Sequence, residues 1–189
     1  MKEFINYLEQ VFYLNKHQID FVVSRAKELH LQKDDFFSEA GKVPKRVGFI
    51  VNGIFRYCYY NDKGEEITNY FVGENNFITD YPNFEANTIS GEYIQAVTDC
   101  QLLVFSKENW VEISNELTQW NHLIDRSYNQ CLLDAIGKRS PLVSEDATTR
   151  YLSFLKNFPG FVNRIPLSYV ASYLGITQQS LSRIRKNIA

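Results

Sequence analysis

Apolar positions change from helical to strand-like spacing and back along the chain. In residues 2–31 they recur every three to four residues, first from Phe4 to Phe12 and again over Ile19, Val22, Val23, Ala26 and Leu29. This spacing predicts an N-terminal helical region. Residues 32–106 instead contain short aromatic and β-branched runs between recurring glycines, with a good hairpin turn at Asn61–Gly64. Such a region predicts a β-sandwich or barrel.

Residues 116–139 carry one long apolar stripe at helical spacing. A helix of roughly 21 residues within this stretch would span about 30 Å. Such a stripe suits packing against a partner helix, and the alternative is packing against the strand region of the same chain. Pro141 is expected to end this helix, and Ser144 to open a shorter one with Tyr151, Leu152, Phe154 and Leu155 facing inward. The stripe comprises Trp120, Leu123, Ile124, Ser127, Cys131, Leu132 and Ile136.

The last 25 residues predict two helices joined by a tight turn. Pro166 suits a first helical turn, and Gly175 is the expected left-handed residue that ends the first helix. Thr177 can cap the second helix through its hydroxyl. The predicted inward positions are Leu167, Val170, Ala171, Leu174, Leu181 and Ile184.

The second of these helices has an outward face that suits DNA. Glutamine can pair with adenine and arginine with guanine, while serine and lysine often contact phosphates. This is the geometry of a helix-turn-helix whose second helix enters the major groove. The alternative is an ordinary helical hairpin with a solvated polar face. The outward residues are Gln178, Gln179, Ser182, Arg183 and Lys186.

Charge is divided unevenly along the 189 residues, although the net charge is only −2. Residues 147–189 contain six basic residues and no acidic one, a net charge of +6. The other 146 residues contain 14 basic and 22 acidic residues, a net charge of −8. This division predicts two parts with different partners, with nucleic acid as the candidate partner of the basic part.

Signals for an enzyme, a metal site or a membrane span are weak. The three cysteines are far apart, which predicts buried thiols, and the three histidines lie outside the strand region without metal-ligand spacing. No phosphate-binding loop or nucleophile elbow occurs. We therefore expect no enzyme activity, metal or cofactor. No apolar run is long enough to cross a bilayer and the N-terminus lacks a signal-peptide core, so the cytoplasm is the expected location.

This order of elements resembles the Crp–Fnr transcription regulators over nearly the whole chain. The resemblance is most specific in GFIVNGIFRYCYYNDKGEEITNYFVGENNFITD and LGITQQSLSRIRK, and NFEANTISGEYIQAVTDCQLLVFSK aligns with the phosphate-cassette region. It implies an α+β fold: N-terminal helices and a double-stranded, jelly-roll-like β-roll within a sensor domain at 1–111, a long dimerisation helix at 112–140, and a helix-turn-helix domain at 141–189.

The resemblance also implies a function. A homodimer would read a pseudo-palindromic site in double-stranded DNA through two recognition helices. RNA polymerase and an unidentified small-molecule effector are further partners that it admits. The wing that often follows the recognition helix is expected to be missing, so DNA affinity would depend more on Arg185 and Lys186 beside Thr177. The expected dimer contacts are Trp120, Leu123, Ile124, Ser127 and Cys131.

The expected effector pocket departs from the cyclic-nucleotide binders of this family. Their Gly-Glu pair falls on Thr79–Asp80 and their Arg-Ser pair on Ser90–Gly91, and no Arg or Lys occurs between Lys63 and Lys107. A buried phosphate would therefore lack a cation, which predicts that cyclic AMP either is not the effector or binds weakly. Tyr70, Phe71, Phe77 and Tyr81 either favour a planar or apolar ligand or belong to the core. The alternative function is a sensing β-roll that does not bind DNA.

Overall fold

The computed structural model describes residues 1–139 and 145–188. Two helices, α1 (Lys2–Gln10) and α2 (Lys16–Val23), precede the strands. The strands are β1 (Lys27–Leu31), β2 (Phe36–Ser38), β3 (Arg46–Asn52), β4 (Phe55–Tyr60), β5 (Glu66–Val72), β6 (Phe77–Ile78), β7 (Tyr93–Ala96) and β8 (Cys100–Ser106), with helix α3 (Tyr81–Ala86) between β6 and β7. The helices α4 (Lys107–Glu116), α5 (Thr118–Arg139), α6 (Ala147–Asn157), α7 (Leu167–Tyr173) and α8 (Gln178–Ile188) follow.

The strands form two four-stranded antiparallel sheets that enclose a β-roll. One sheet has the order β1-β8-β3-β6 and the other the order β2-β7-β4-β5. Buried apolar residues from both sheets fill the roll between them, with Phe55, Ile50, Ile94 and Leu102 among them. The predicted α+β fold with a jelly-roll-like β-roll is confirmed. Of the predicted buried thiols, Cys58 and Cys100 are buried and unpaired, and burial raises the pKa of Cys58 to about 11.

The prediction that residues 2–31 are helical throughout is wrong for its last part. Helix α2 ends at Val23, and Lys27–Leu31 forms β1, which pairs with β8 from Lys27↔Val104 to Leu31↔Cys100. Leu29 and Leu31 are half-buried, while Glu28 and His30 between them are exposed. This alternation fits a strand, and the backbone hydrogen bonds offered by β8 decide the outcome. It also places His30 in a strand, contrary to expectation.

The first half of helix α5 packs against its own chain. It begins at Thr118, after Leu117 has left helical geometry at the end of α4, so residues 112–116 belong to a separate helix. Trp120 is fully buried and Ile124 nearly so, together with Phe4, Phe49 and other residues of α1, β3, β8 and α4. The expectation that Trp120 and Ile124 are buried by a partner chain is therefore wrong, and the alternative packing holds for this half of the helix.

The remaining predicted dimer residues are placed differently. Leu123 is partly buried against the same cluster, and the hydroxyl of Ser127 is hydrogen-bonded to Tyr7. The side chains of residues 130, 131 and 134–139 lie outside the described part, so Cys131 and Ile136 stay predictions, as does the helix end predicted at Pro141. The helix start predicted at Ser144 is wrong, because the side chain of Asp146 caps α6, which begins at Ala147. Leu132 and Leu133 are 44% and 64% exposed. The apolar surface that α5 leaves uncovered therefore lies in its second half.

Helices α6, α7 and α8 form a third cluster against the outer face of β4 and β5. Phe71 is buried there, and its ring contacts those of Phe154, Phe158 and Tyr173 at centroid distances of 5.5–6.2 Å. The inward position predicted for Leu152 is wrong, because this side chain is 46% exposed. Residues 151, 154, 155 and 158 share one face of α6, and Leu152 is turned about 100° away from its neighbour Tyr151.

Candidate DNA-binding surface and ligand cavity

The turn between α7 and α8 has the local geometry predicted from the sequence. Gly175 has φ +63°, the left-handed conformation that glycine adopts without strain. The Oγ1 of Thr177 accepts a hydrogen bond from the backbone N–H of Ser180 at 3.1 Å, which caps α8. Leu181 is fully buried against α6 and α7 and Ile184 is half-buried, so the opposite side of α8 faces solvent.

The predicted contact residues lie together on the outer side of α8 and its preceding turn. Arg185 is half-buried beside Tyr151 and Leu155 of α6, in a shallow groove that Lys186 also lines. Arg164, in contrast, is engaged with Glu74 of the β-roll at 2.5 Å. Among the predicted contact residues, the exposed cationic side chains are those of Arg183 and Lys186 on α8. The exposed members of the predicted set are Thr177, Gln178, Gln179, Ser182, Arg183 and Lys186.

A cavity of about 280 Å³ opens in the β-roll, beneath α5. Its walls are largely aromatic: Tyr57 and Tyr70 come from β4 and β5, Trp110 from α4, and Tyr81 and Tyr128 from α3 and α5. The rings of Tyr81 and Tyr128 meet at a centroid distance of 5.3 Å. Burial raises the pKa of the Tyr81 phenol to about 12, so this hydroxyl is neutral near pH 7. Much of the cavity wall is thus formed by aromatic rings, and the phenol of Tyr81 is neutral.

The predicted effector residues divide between the cavity and its surroundings. Tyr70, Thr79 and Asp80 line the cavity, as do Phe77 and Tyr81. Ser90 lies behind the wall, where its Oγ donates a hydrogen bond to Asp80 Oδ2 at 2.6 Å. Gly91 is exposed and does not line the cavity.

Phe71 is the predicted pocket residue that the structure places elsewhere. Successive side chains of a strand point to opposite faces of the sheet. Since Tyr70 of β5 points into the roll, Phe71 points out of it and packs against α6 and α7. Its assignment to the effector pocket is therefore wrong.

Sequence reasoning missed several residues of the cavity. Tyr7, Ser127 and Tyr128 reach it from helices α1 and α5, which are distant in sequence from the strand region. Glu92 adjoins the predicted Ser90–Gly91 pair, so its position next to that pair was the available signal. Its Oε1 accepts a hydrogen bond from Asn69 Nδ2.

The electrostatics of the cavity are acidic. Asp80 and Glu92 both line it, and none of its described lining residues is Arg, Lys or His. Arg56 is the nearest cation along β4, but it points to the outer face of the roll. The inference that this site lacks a cation for a phosphate thus holds for the described lining.

Polar contacts join the roll to the C-terminal helices. The guanidinium of Arg56 is 1% exposed, forms an ion pair with Glu66 at 2.6 Å, and stacks 3.5 Å from the ring centroid of Tyr169 on α7. Ser172 of α7 accepts a hydrogen bond from the backbone N–H of Thr68 at 2.9 Å. The C-terminal helices are therefore anchored on the back of the strands whose inner face lines the cavity.

The described residues provide neither a metal-ligand cluster nor a membrane-spanning helix. Within residues 1–139 and 145–188, no three histidine, cysteine or carboxylate side chains are grouped so that they could hold a metal ion. None of the helices in these ranges combines the length and the apolar character required to cross a bilayer.

Comparisons with known proteins agree with this architecture. Residues 28–116 match the cyclic nucleotide-binding domain family. The c-di-GMP responsive global regulator CLP from Xanthomonas campestris superposes with a TM-score of 0.75 at 15% identity, over 92% of this chain and 91% of that one. FixK2 from Bradyrhizobium japonicum gives 0.75 at 16% identity, over 86% and 84% of the two chains.

A protein from Eubacterium rectale described as a transcriptional regulator of the crp/fnr family gives a TM-score of 0.73 at 17% identity, over 96% and 87% of the two chains. No curated protein matches the sequence significantly. At these identities the structural likeness establishes the fold, and it agrees with the resemblance drawn from the sequence.

Proposed function

We propose that this chain, which carries a cyclic nucleotide-binding domain in the fold of the Crp/Fnr regulators, is a DNA-binding transcription regulator. The observation that carries the proposal is the outer face of α8. It presents Gln178, Gln179 and Arg183 to solvent, on a helix without any acidic residue that is docked through Leu181. A helix held in this way offers amide and guanidinium groups to base edges, and its lysine to phosphates.

The regulator is proposed to act in the cytoplasm as a homodimer, because two copies of α8 are needed to read two half-sites. The second half of α5 is the surface proposed for dimerisation, since Leu132 and Leu133 are exposed there while Trp120 is covered by its own chain. Substituting Leu133 by Glu would place a charge on this surface. We expect sedimentation equilibrium to show a dimer for the wild type and a monomer for L133E, whereas a monomeric wild type at micromolar concentration contradicts the proposal.

Selection of bound DNA from a random pool at low salt tests DNA binding itself. Enrichment of a sequence with two related half-sites supports the proposal, and absence of any enrichment supports the alternative, a sensing module without DNA binding. With the selected site, Arg183→Ala should cost about 1–3 kcal/mol of binding free energy and relax specificity at one position of each half-site.

A matched variant separates this effect from a general loss of positive charge. Lys16 is exposed at the start of α2, far along the chain from the proposed recognition helix. Lys16→Ala should leave both affinity and specificity unchanged. If Arg183→Ala behaves like Lys16→Ala, Arg183 does not read a base.

A further inference from the structure

The β5–β6 turn, residues 73–76, is bonded firmly to the neighbouring strand β3. The backbone N–H of Asn75 donates to the carbonyl oxygen of Ile50 at 2.9 Å, and the N–H of Ile50 donates to that of Asn76 at 3.0 Å. Asn76 Nδ2 also donates to the carbonyl oxygen of Glu74 at 3.0 Å, which closes the turn from within. The turn is therefore a fixed part of the β-roll.

Gly73, at the start of this turn, leaves the space that the ring of Phe161 occupies. Phe161 belongs to the α6–α7 loop, residues 158–166. A Cβ built on Gly73 would lie 2.6 Å from Cζ and 2.7 Å from Cε1 of Phe161, closer than Cβ atoms approach other atoms in proteins. The φ of Gly73 is not in the left-handed region, so its backbone conformation does not require glycine. The missing side chain is thus what admits the ring.

Glu74, the next residue of the turn, binds the same loop through its carboxylate. Oε1 accepts a hydrogen bond from Arg164 Nη2 at 2.5 Å, and Oε2 accepts one from Nη1 at 3.3 Å. Such a two-pronged pair fixes the orientation of both groups. Oε1 also accepts a hydrogen bond from the backbone N–H of Gly53 at 2.9 Å. One carboxylate therefore connects the loop to the roll.

The α6–α7 loop leads directly from these two contacts into α7. The backbone N–H groups of Arg164 and Ile165 donate to the carbonyl oxygen of Phe161 at 2.8 and 3.0 Å, so this part of the loop is one compact turn. Ile165 is buried with residues of α7, which begins at Leu167. Helix α8 is docked in the same cluster through Leu181. The contacts of the β5–β6 turn therefore fix the start of α7, which carries α8.

Other contacts hold α7 farther along its length. Tyr169 lies over the guanidinium of Arg56, and the Oγ of Ser172 accepts a hydrogen bond from the backbone N–H of Thr68. A helix attached to a sheet only through its middle and end can still change its direction about those points. A further attachment at its start removes this freedom, and the β5–β6 turn supplies it.

We infer that the β5–β6 turn is a positioning element for the DNA-binding surface: Gly73 and Glu74 hold the start of α7 and thereby set where α8 lies relative to the β-roll. The inference rests on the proposed function, because it concerns how the proposed dimer reads two half-sites. The distance between the two recognition helices of a dimer determines which half-site spacing it binds. An added base pair moves the half-sites about 3.4 Å apart, so a fixed α8 predicts a preference for one spacing.

Hydrogen-exchange mass spectrometry of the full chain tests the attachment without DNA. Gly73→Ala places a methyl group where the ring of Phe161 lies, and exchange in residues 161–173 should become at least about fivefold faster because the ring must leave its position. Gly160→Ala is the matched control, since a Cβ there meets nothing within 4 Å, and should leave exchange unchanged. Peptides from β3 report on the roll and should exchange as in the wild type.

Glu74→Gln provides a second, independent variant. It keeps an acceptor for the N–H of Gly53 but removes the charge that binds Arg164, so exchange in residues 161–173 should become about two- to fivefold faster, as expected for a partly exposed ion pair. Because the substitution removes a negative charge, electrostatics alone would not weaken DNA binding. If Gly73→Ala also accelerates exchange in β3, Glu74→Gln decides the test.

The spacing preference on the selected DNA site tests the positioning role itself. The wild type should bind a site with one base pair added between the half-sites at least about tenfold more weakly than the selected site. In Gly73→Ala and Glu74→Gln this ratio should fall by at least about threefold, whereas Gly160→Ala should keep it. A variant that merely folds less well loses active protein for both sites equally, which leaves the ratio unchanged.

Three results overturn the inference. They are unchanged exchange in residues 161–173 of the variant that leaves β3 unaffected, a spacing ratio in that variant equal to the wild-type ratio, or wild-type binding that is indifferent to the added base pair. The two proposals fail separately. If no DNA site is enriched, the proposed function is refuted while exchange still decides whether the turn holds α7, and an enriched site with unchanged exchange refutes only the inference.

Discussion

The stack of Arg56 on Tyr169 provides the most demanding test of how the β-roll and the C-terminal helices are joined. The guanidinium is almost fully buried, and each of its three nitrogens is hydrogen-bonded. Nε and Nη2 donate to Gln95 Oε1, and Nη1 donates to Thr68 Oγ1 at 3.1 Å. Arg56→Leu retains much of the side-chain volume but removes every one of these donors and the charge.

The expected loss of stability in Arg56→Leu depends on Glu66, the carboxylate that the substitution leaves without its ion-pair partner. Breaking a buried ion pair by removing one partner costs about 3–5 kcal/mol. Glu66, however, is 32% exposed and can be rehydrated, so we expect the free energy of unfolding to fall by about 3 kcal/mol, at the lower end of that range. Arg56→Lys keeps the charge but loses the planar fork, and should cost about 1.5 kcal/mol.

Urea unfolding monitored by tryptophan fluorescence measures both losses. Lys45 is exposed next to β3, so Lys45→Leu, which also replaces a cation by leucine, should change stability by less than about 0.5 kcal/mol. A double-mutant cycle with Tyr169→Leu isolates the stacking interaction, for which we expect a coupling of about 1 kcal/mol. If Arg56→Leu is as stable as wild type, or the coupling is zero, the stack does not join the two regions in solution.

Two further predictions concern the backbone and pH. Gly53 has φ +111°, and a Cβ there would lie 2.9 Å from the carbonyl oxygen of Asp99, so Gly53→Ala should cost about 3 kcal/mol in urea unfolding. Gly91→Ala, where a Cβ meets nothing within 4 Å, should be neutral, and equal effects would refute the argument. Burial alone would raise the pKa of Glu74, but hydrogen bonds from Arg164 and the N–H of Gly53 lower it below its usual 4.5. The contribution of Glu74 to stability is therefore present above 4.5 and lost as pH falls through its lowered pKa, and Arg164→Met should reduce this acid sensitivity in melts across that range. An unchanged acid dependence in the variant would contradict this assignment.

Local features of this chain were predictable because neighbouring residues decide them. Gly175 ends α7 and Thr177 caps α8 by interactions within a few residues, and the outward face of α8 follows from helical spacing around Leu181. The sheet region was predictable for the same reason, since short aromatic and β-branched runs separated by glycines are typical of short strands. The sequence contains no basic residue between Lys63 and Lys107, and in agreement with this the described lining of the cavity contains no cation.

Features that depend on distant partners were not predictable in the same way. Residues 27–31 satisfy a helical and a strand pattern equally, and only the hydrogen bonds of β8 select the strand. The spacing of Trp120 is compatible with packing against a partner helix or against its own chain. The structure shows the second, because Trp120 is buried in a cluster with Phe4 and Phe49.

The sequence by itself determined the order of elements, the docked and acid-free face of α8, and the lack of a cation among the described lining residues of the cavity. Tertiary structure alone decided which face of each strand looks into the cavity. Tyr70 faces inward and Phe71 outward, Arg56 is buried under Tyr169, and Tyr7 and Tyr128 reach the cavity from helices that precede and follow the roll in the chain. The physical reason is that local spacing sets the conformation of a segment, whereas burial of its side chains depends on surfaces supplied from elsewhere in the chain.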